Sequence, residues 1–228
     1  MKWTLRAELP MLLVLLAMFV LAAWAWDRVP DQMPVHYNLE GEVDRYGGRF
    51  EGLLLIPLIT IGTYLLFCFL PRLDPGKANY PGFAGTFRVI RLAIVLFLAA
   101  LYAFMVADAL GHGVPVGQPV TLLVGALFVV LGFTMGKIRP NWFVGVRTPW
   151  TLSSKLSWTR SHRLAGWLFL ASGAGTLLLA PFSQKAALIF VIASGLLLSL
   201  AVVVYSYIVW RHDPERVPPA GTSPADTE

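Results

Sequence analysis

The sequence predicts an all-α integral membrane protein: a six-helix transmembrane bundle with a small extracytoplasmic cap loop. Three observations carry this. Six long runs have no ionisable group across their middles. The chain is 57% hydrophobic and 14% charged over 228 residues, where a soluble domain carries roughly a quarter charged residues. The remaining charges are gathered between the runs, with the cations divided very unequally among alternate connections.

Lys2 and Arg6 precede the first charge-free run, 9–26. Ala23-Trp24-Ala25 has the small-x-small form of a signal cleavage site. The apolar run is long for a signal peptide, and Trp24 and Trp26 suit the bilayer interface, so a retained helix is expected. Residues 27–51 form the first polar segment. Pro30 and Pro34 prevent a continuous helix. Val35, Tyr37 and Leu39 alternate with His36 and Asn38, as in a short strand. Glu40-Gly41 and Gly47-Gly48 mark turns, so a small hairpin-like element capping the bundle is expected.

The second run, 53–70, contains Pro57, a bend that neighbouring helices can accommodate. A connection with Pro71, Pro75 and Pro81 leads to the third run, 87–110, which has Arg88 and Arg91 at its start and Asp108 near its end. After an uncharged link at 111–118, the fourth run is 119–135. The fifth, 164–182, follows an amphipathic approach at 153–163, and the sixth, 186–210, follows a tight turn at 183–185. Runs of about 18 apolar residues read as spans. The expected organisation is 1–26 as the first span, 27–52 as the cap and 53–135 as spans two to four. A cytoplasmic basic loop at 136–163, spans five and six at 164–210 and a disordered Pro-, Gly- and Ser-rich tail at 211–228 complete it.

Placing the amino terminus in the cytoplasm puts Lys2, Arg6, Arg72, Lys77, Arg88, Arg91, Lys137, Arg139, Arg147, Lys155, Arg160, Arg163, Arg211 and Arg216 inside. That is fourteen of the eighteen cations; Arg28, Arg45, Arg49 and Lys185 lie outside. This asymmetry predicts a multi-pass protein of the cell (cytoplasmic) membrane with both termini cytoplasmic. It also explains the formal charge of +5 without nucleic acid: anionic lipid is the natural partner of cations beside apolar runs.

The stretch Lys137-Ile-Arg-Pro-Asn-Trp-Phe-Val-Gly-Val-Arg-Thr-Pro-Trp-Thr-Leu152 has three cations and no anion. Arg139-Pro140-Asn141 stops the preceding helix. Gly145 permits a turn that a side chain would resist. Thr148-Pro149 forces an extended step, and Ser153 or Ser154 can cap the next helix. Trp142, Phe143 and Trp150 are expected in the interface, with the cations toward headgroups. Charge bias alone explains the cations, but the residue order specifies a shape, which favours recognition.

Other candidates are weaker. His36, Asn38, Glu40, Glu42 and Asp44 form a polar cluster better suited to organising turns than to holding a metal. Asp108 and His112 are one helical turn apart: they are either a titrating pair or two interfacial polar residues. Trp158 and His162 share a helix face and either clamp a ligand or hold the loop against the membrane surface. Gly132 with Gly136, Ala171 with Gly175 and Gly195 with Ser199 suit close helix packing within the chain. Thr60, Thr63, Ser172, Thr176, Ser194 and Ser199 are expected to bond their own helix backbones.

Cys68, the only cysteine, excludes an internal disulfide. No CxxC, HExxH, GxGxxG or phosphate-loop motif implies a metal or cofactor. No nucleophile has an assignable base, so no enzyme is expected. The runs lack the midplane charges of ion-coupled transport.

The run from Gly136 to Leu152, with Trp158, His162 and Gly166, resembles the signature of the SdpI family of bacterial membrane proteins, G-x-x-x-x-N-x-x-x-G-x-R-x-x-W-T-x. The segment from Pro30 to Gly47 resembles a small domain of unknown function with the pattern P-x-x-x-P-x-H-[FY]-x-x-x-G-x-x-D. The resemblance implies immunity to a secreted peptide toxin that attacks the cell membrane. It also implies a possible receptor role, in which a cytoplasmic repressor is sequestered at the membrane. By motif match, Asn141, Gly145, Arg147, Trp150 and Thr151 stand for the family's loop residues, and Arg139, Trp158 and His162 flank them. His36, Gly41 and Asp44 match the outer domain. The competing readings are a peptide or lipid transporter and a membrane-bound enzyme acting on lipid, with the basic loop holding a phosphate.

Overall fold

The computed structural model describes residues 4–38, 40–114 and 117–217. The chain runs through α1 (Leu5–Ala25), β1 (Gln32–Tyr37), β2 (Val43–Gly48) and α2 (Arg49–Leu73), then a 3-10 turn at Lys77–Phe83. It continues through α3 (Ala84–Ala109), α4 (Gly117–Met135), α5 (Pro149–Leu152), α6 (Lys155–Leu179) and α7 (Gln184–Arg211). Lys2 and residues 218–228 of the expected tail lie outside the described residues.

Among the described residues, five stretches are long and apolar enough to cross a membrane: Leu5–Ala25, Arg49–Leu73, Lys77–Ala109, Gly117–Met135 and Gln184–Arg211. This is an all-α membrane architecture with five such stretches where six spans were expected. The missing one is α6. Its first turns carry Lys155, Arg160, His162 and Arg163, and its remainder is diluted by Gly166, Ser172, Gly173, Gly175 and Thr176. Those small residues serve contact with neighbouring helices. Both ends of α6 nevertheless sit at the two polar ends of the molecule. Ser154 before it bonds Asp213 beyond α7, and the turn after it leads to Gln184, which lies against Gly41 and Gly117.

The helices form two groups, α1–α2–α3 and α4–α6–α7, joined through α3 and α4. Between α4 and α6 the backbones nearly touch. A Cβ on Gly132 would lie 2.9 Å from the Gly166 carbonyl oxygen, and one on Gly173 would lie 2.6 Å from that of Gly125. Gly132 thus makes the close approach expected of it, but its partner is on α6. Gly175 faces Phe190 of α7, whereas a Cβ on Gly195 would meet nothing within 4 Å, so no close helix approach is built on it. Without a hydrophobic drive between helices in lipid, such packing and interhelical hydrogen bonds are what hold them. Ser172, expected to bond its own helix, bonds Ser194 on α7 instead. Thr60, Thr176, Ser194 and Ser199 do bond carbonyls of their own helices.

Two further expectations are corrected. Arg91 does not stand at the mouth of its helix: α3 begins at Ala84, so Arg91 lies two turns in, buried, and paired with Glu8 in the first turn of α1. Tyr64 of α2 also donates to Glu8 at 3.2 Å, so one carboxylate joins three helices. The tail does not begin at Arg211 either. Asp213 is buried and the Val217 amide donates to the Ser153 carbonyl at 3.0 Å, which folds 212–217 back over the start of α6.

β1 and β2 pair antiparallel, with Met33 opposite Gly47 and Tyr37 opposite Val43, and the register slips on either side of His36. Met33 and Leu53 are fully buried with Met18, Ala22, Tyr102 and Val106, which anchors the hairpin in the first helix group.

Gly173→Ala should lower stability by about 1–3 kcal/mol, the usual cost of overpacking. Gly195→Ala should leave it unchanged. Thermal midpoints in detergent compare the two.

Candidate functional site

The polar ends of the bundle hold the candidate residues. At one end, residues 136–148 connect α4 to α5 with no regular structure of their own, so side chains must satisfy much of the backbone. Asn141, 1% exposed, does most of this. Its Nδ2 donates to the carbonyls of Arg139 and Val144, both at 2.9 Å. Its Oδ1 accepts from the amides of Phe143 at 2.9 Å and Val144 at 2.6 Å. That uses both donors and both acceptors of the amide group.

Asp74, just after α2, accepts from the Trp142 amide at 3.1 Å, the Gly76 amide at 2.6 Å and the Tyr80 hydroxyl at 2.9 Å. Asn79 donates to the Pro140 carbonyl at 2.7 Å. The α2–α3 connection is thereby stitched to the loop.

His162 holds the other side. Its Nε2 accepts from the Val146 amide at 3.0 Å and its Nδ1 faces the Trp158 carbonyl at 2.8 Å. These partners fix the neutral Nδ1–H tautomer. Burial pushes its pKa down to about 4, against the opposing effect of the Trp158 carbonyl. The Trp158 ring stacks on it at 4.1 Å, and Trp158 Nε1 donates to the Ile138 carbonyl at 2.9 Å. Gly145 passes this stack with φ +107°, and a Cβ there would lie 2.3 Å from His162 Nε2.

Thr148 caps α5 in a reciprocal box with Thr151, whose hydroxyl also reaches the Val146 carbonyl at 2.9 Å. Thr148 is extended, as expected, but Pro149 then opens a helix rather than a loop. Thr148 Oγ1 bonds Ser206 of α7 at 3.0 Å. Ser154, one of the two expected caps, accepts from the Ser157 amide at 2.8 Å. Trp150, expected in the interface, is half-buried with its ring 5.2 Å from Tyr207.

The structure therefore divides the candidates. Asn141, Gly145, Thr151, Trp158 and His162 build the loop. Arg139 and Arg147 are exposed, with Trp142 and Phe143 beside them. Among the described residues, none of Lys137, Arg139, Arg147, Lys155, Arg160 and Arg163 is paired with a carboxylate. Arg147 Nη1 donates to the Trp142 carbonyl at 3.1 Å. Asp74, Asn79, Ser206 and Asp213 went unnoticed in the sequence. The usable signal was an Asp-Pro pair closing each of two apolar runs at the cationic end.

At the other end, Asn38 organises the hairpin turn. Its Oδ1 accepts from the Glu40 and Glu42 amides at 3.0 and 2.9 Å, and Gly41 takes φ +83°. His36 Nδ1 meets Asp44 Oδ1 at 2.6 Å, both exposed, and Glu40 pairs with Lys185 at 2.8 Å. Asp108 is bonded by Tyr37 at 2.8 Å and His112 lies 3.2 Å from the Ala107 carbonyl, so the two do not pair. Beneath the hairpin lies a cavity of about 350 Å³. Its floor includes Leu55, Ile56, Leu101, Met105 and Val120, and its rim includes His36, Asn38, Gln184 and the ion pair Arg45–Glu51.

Residues 137–206 match the family model described as the SdpI/YfhL protein family. Residues 13–61 match one described as a domain of unknown function, DUF1648. The immunity protein SdpI of Bacillus subtilis (strain 168) is 22% identical over 193 residues, covering 85% of this chain and 90% of that protein. No solved structure matches the chain.

Asn141→Ala strands two amides and two carbonyls inside the loop and should cost at least about 1–3 kcal/mol, the penalty for one unsatisfied buried group. Gly145→Ala should fail similarly, through strained φ and contact with His162. Each shows as a lower thermal midpoint. With a folded pKa near 4 and an ordinary value of 6.5, His162 takes up protons more readily when unfolded. Its contribution to stability is therefore full above pH 6.5 and is lost as the pH falls toward 4. Subtracting the profile of His162→Gln isolates it.

Proposed function

With the SdpI/YfhL module at residues 137–206 as the premise, we propose that this chain is a membrane immunity protein that protects its cell from a secreted antimicrobial peptide. The supporting observation is the similarity to an immunity protein over most of both chains. In this reading all six long helices cross the cell membrane, both termini are cytoplasmic, and the hairpin faces outward. Positive-inside bias supports that orientation. Residues 27–51 carry six carboxylates against three arginines, which favours a cationic arrival. The cavity under the hairpin offers an apolar floor and polar rim, suited to side chains of an amphipathic peptide.

Expression in a sensitive bacterium should raise survival against at least one member of a panel of secreted membrane-active peptides. Protection from none of them would overturn the reading. Val120→Trp, which fills the cavity under the hairpin, should abolish protection at unchanged membrane abundance.

Orientation has its own test. In a Cys68→Ala background, Tyr46→Cys should react with an impermeant thiol reagent in intact cells. Phe143→Cys should react only after permeabilisation; the opposite pattern would invert the topology.

A further inference from the structure

The two helix groups meet through α3 and α4, and α3 makes no extended contact with α7. At the basic end this leaves a crevice of about 390 Å³. Ile90 of α3, Leu131 and Met135 of α4, Phe169 of α6, and Leu198 and Val202 of α7 line it. Its outer wall includes Ser199 and Val203, both exposed on the outer surface of α7. Its upper edge is the Val144–Thr148 backbone, with Arg147 at the rim.

We propose that this crevice binds one anionic phospholipid, its acyl chain between α3 and α7 and its phosphate on Arg147. Three observations converge. The crevice opens on the exposed side of α7, a stretch long and apolar enough to cross a membrane, so a lipid chain can reach it. A gap of this size beside packed helices forfeits contacts unless an apolar chain fills it. Arg147 uses one of five donors on Trp142 and has no carboxylate partner; a guanidinium matches phosphate bidentately. The neighbouring groove between α3 and α4, lined by Leu92, Leu96, Phe97, Leu123, Leu127 and others, has no cation and serves as an internal comparison. The lipid would complete the seam between the helix groups and brace the loop from below. The site stands or falls independently of any toxin.

Delipidated protein in mild detergent tests this by native mass spectrometry and thermal unfolding. Phosphatidylglycerol should be retained as one adduct and raise the melting temperature. Phosphatidylcholine should bind more weakly, and glycerol 3-phosphate, which has no acyl chain, should do neither. Arg147→Gln should weaken phosphatidylglycerol binding about tenfold or more, as loss of a charge-assisted bond predicts. Ser199→Phe closes the crevice from its exposed wall, so folding should survive while the adduct is lost. Leu127→Phe, in the α3–α4 groove, should change nothing. Equal retention of the two lipids, or an adduct that survives Ser199→Phe, would overturn the proposal. So would displacement of the lipid by a soluble acidic peptide, which would make the basic strip a protein-docking surface.

Discussion

The near contact of the α4 and α6 backbones at Gly125–Gly173 and Gly132–Gly166 sets much of the rest of the structure. Helices this close can be joined only by a chain that turns sharply and satisfies its own amides. Asn141 therefore spends its whole side chain on backbone, and Gly145 adopts a conformation open to glycine alone. The same spacing brings Trp158 under Ile138 and His162 under Val146. The loop's backbone is bonded from within by Asn141 and from α6 by His162, and Arg139 and Arg147 stand exposed at its surface.

The first helix group is held differently. Glu8 and Arg91 face each other in a buried pair, joined by Tyr64. Taking two charges out of water is costly, and attraction offsets it only when geometry and further hydrogen bonds are good. Such a pair adds little net stability over an apolar substitute, but losing either partner would strand the other. The pair ties the first turn of α1 to α2 and α3 at one point.

The fold class was legible because lipid imposes a simple rule on composition. The turn chemistry of Asn141, Gly145 and Thr148 was legible too, since those residue types act locally. What escaped was anything requiring a partner distant in the chain. Asp74 is separated from Trp142 by the whole of α3 and α4. The glycine contacts recur every seven residues on each helix, two turns on one face, whereas pairs four apart drew attention. Arg91 was misplaced because the cations suggested a helix start that the 3-10 turn at Lys77–Phe83 moves earlier. Trp158 and His162 bond the loop backbone at Ile138 and Val146, partners that no spacing in the sequence announces.

The hairpin roof is fastened unevenly. On the α3 side Tyr37 grips Asp108 in a partly buried hydrogen bond. On the α7 side the tie is Glu40 with Lys185, an exposed ion pair that dissolved ions weaken. The two ties therefore answer differently to salt: the Glu40–Lys185 contact weakens as ionic strength rises, while the partly buried Tyr37–Asp108 bond is screened far less.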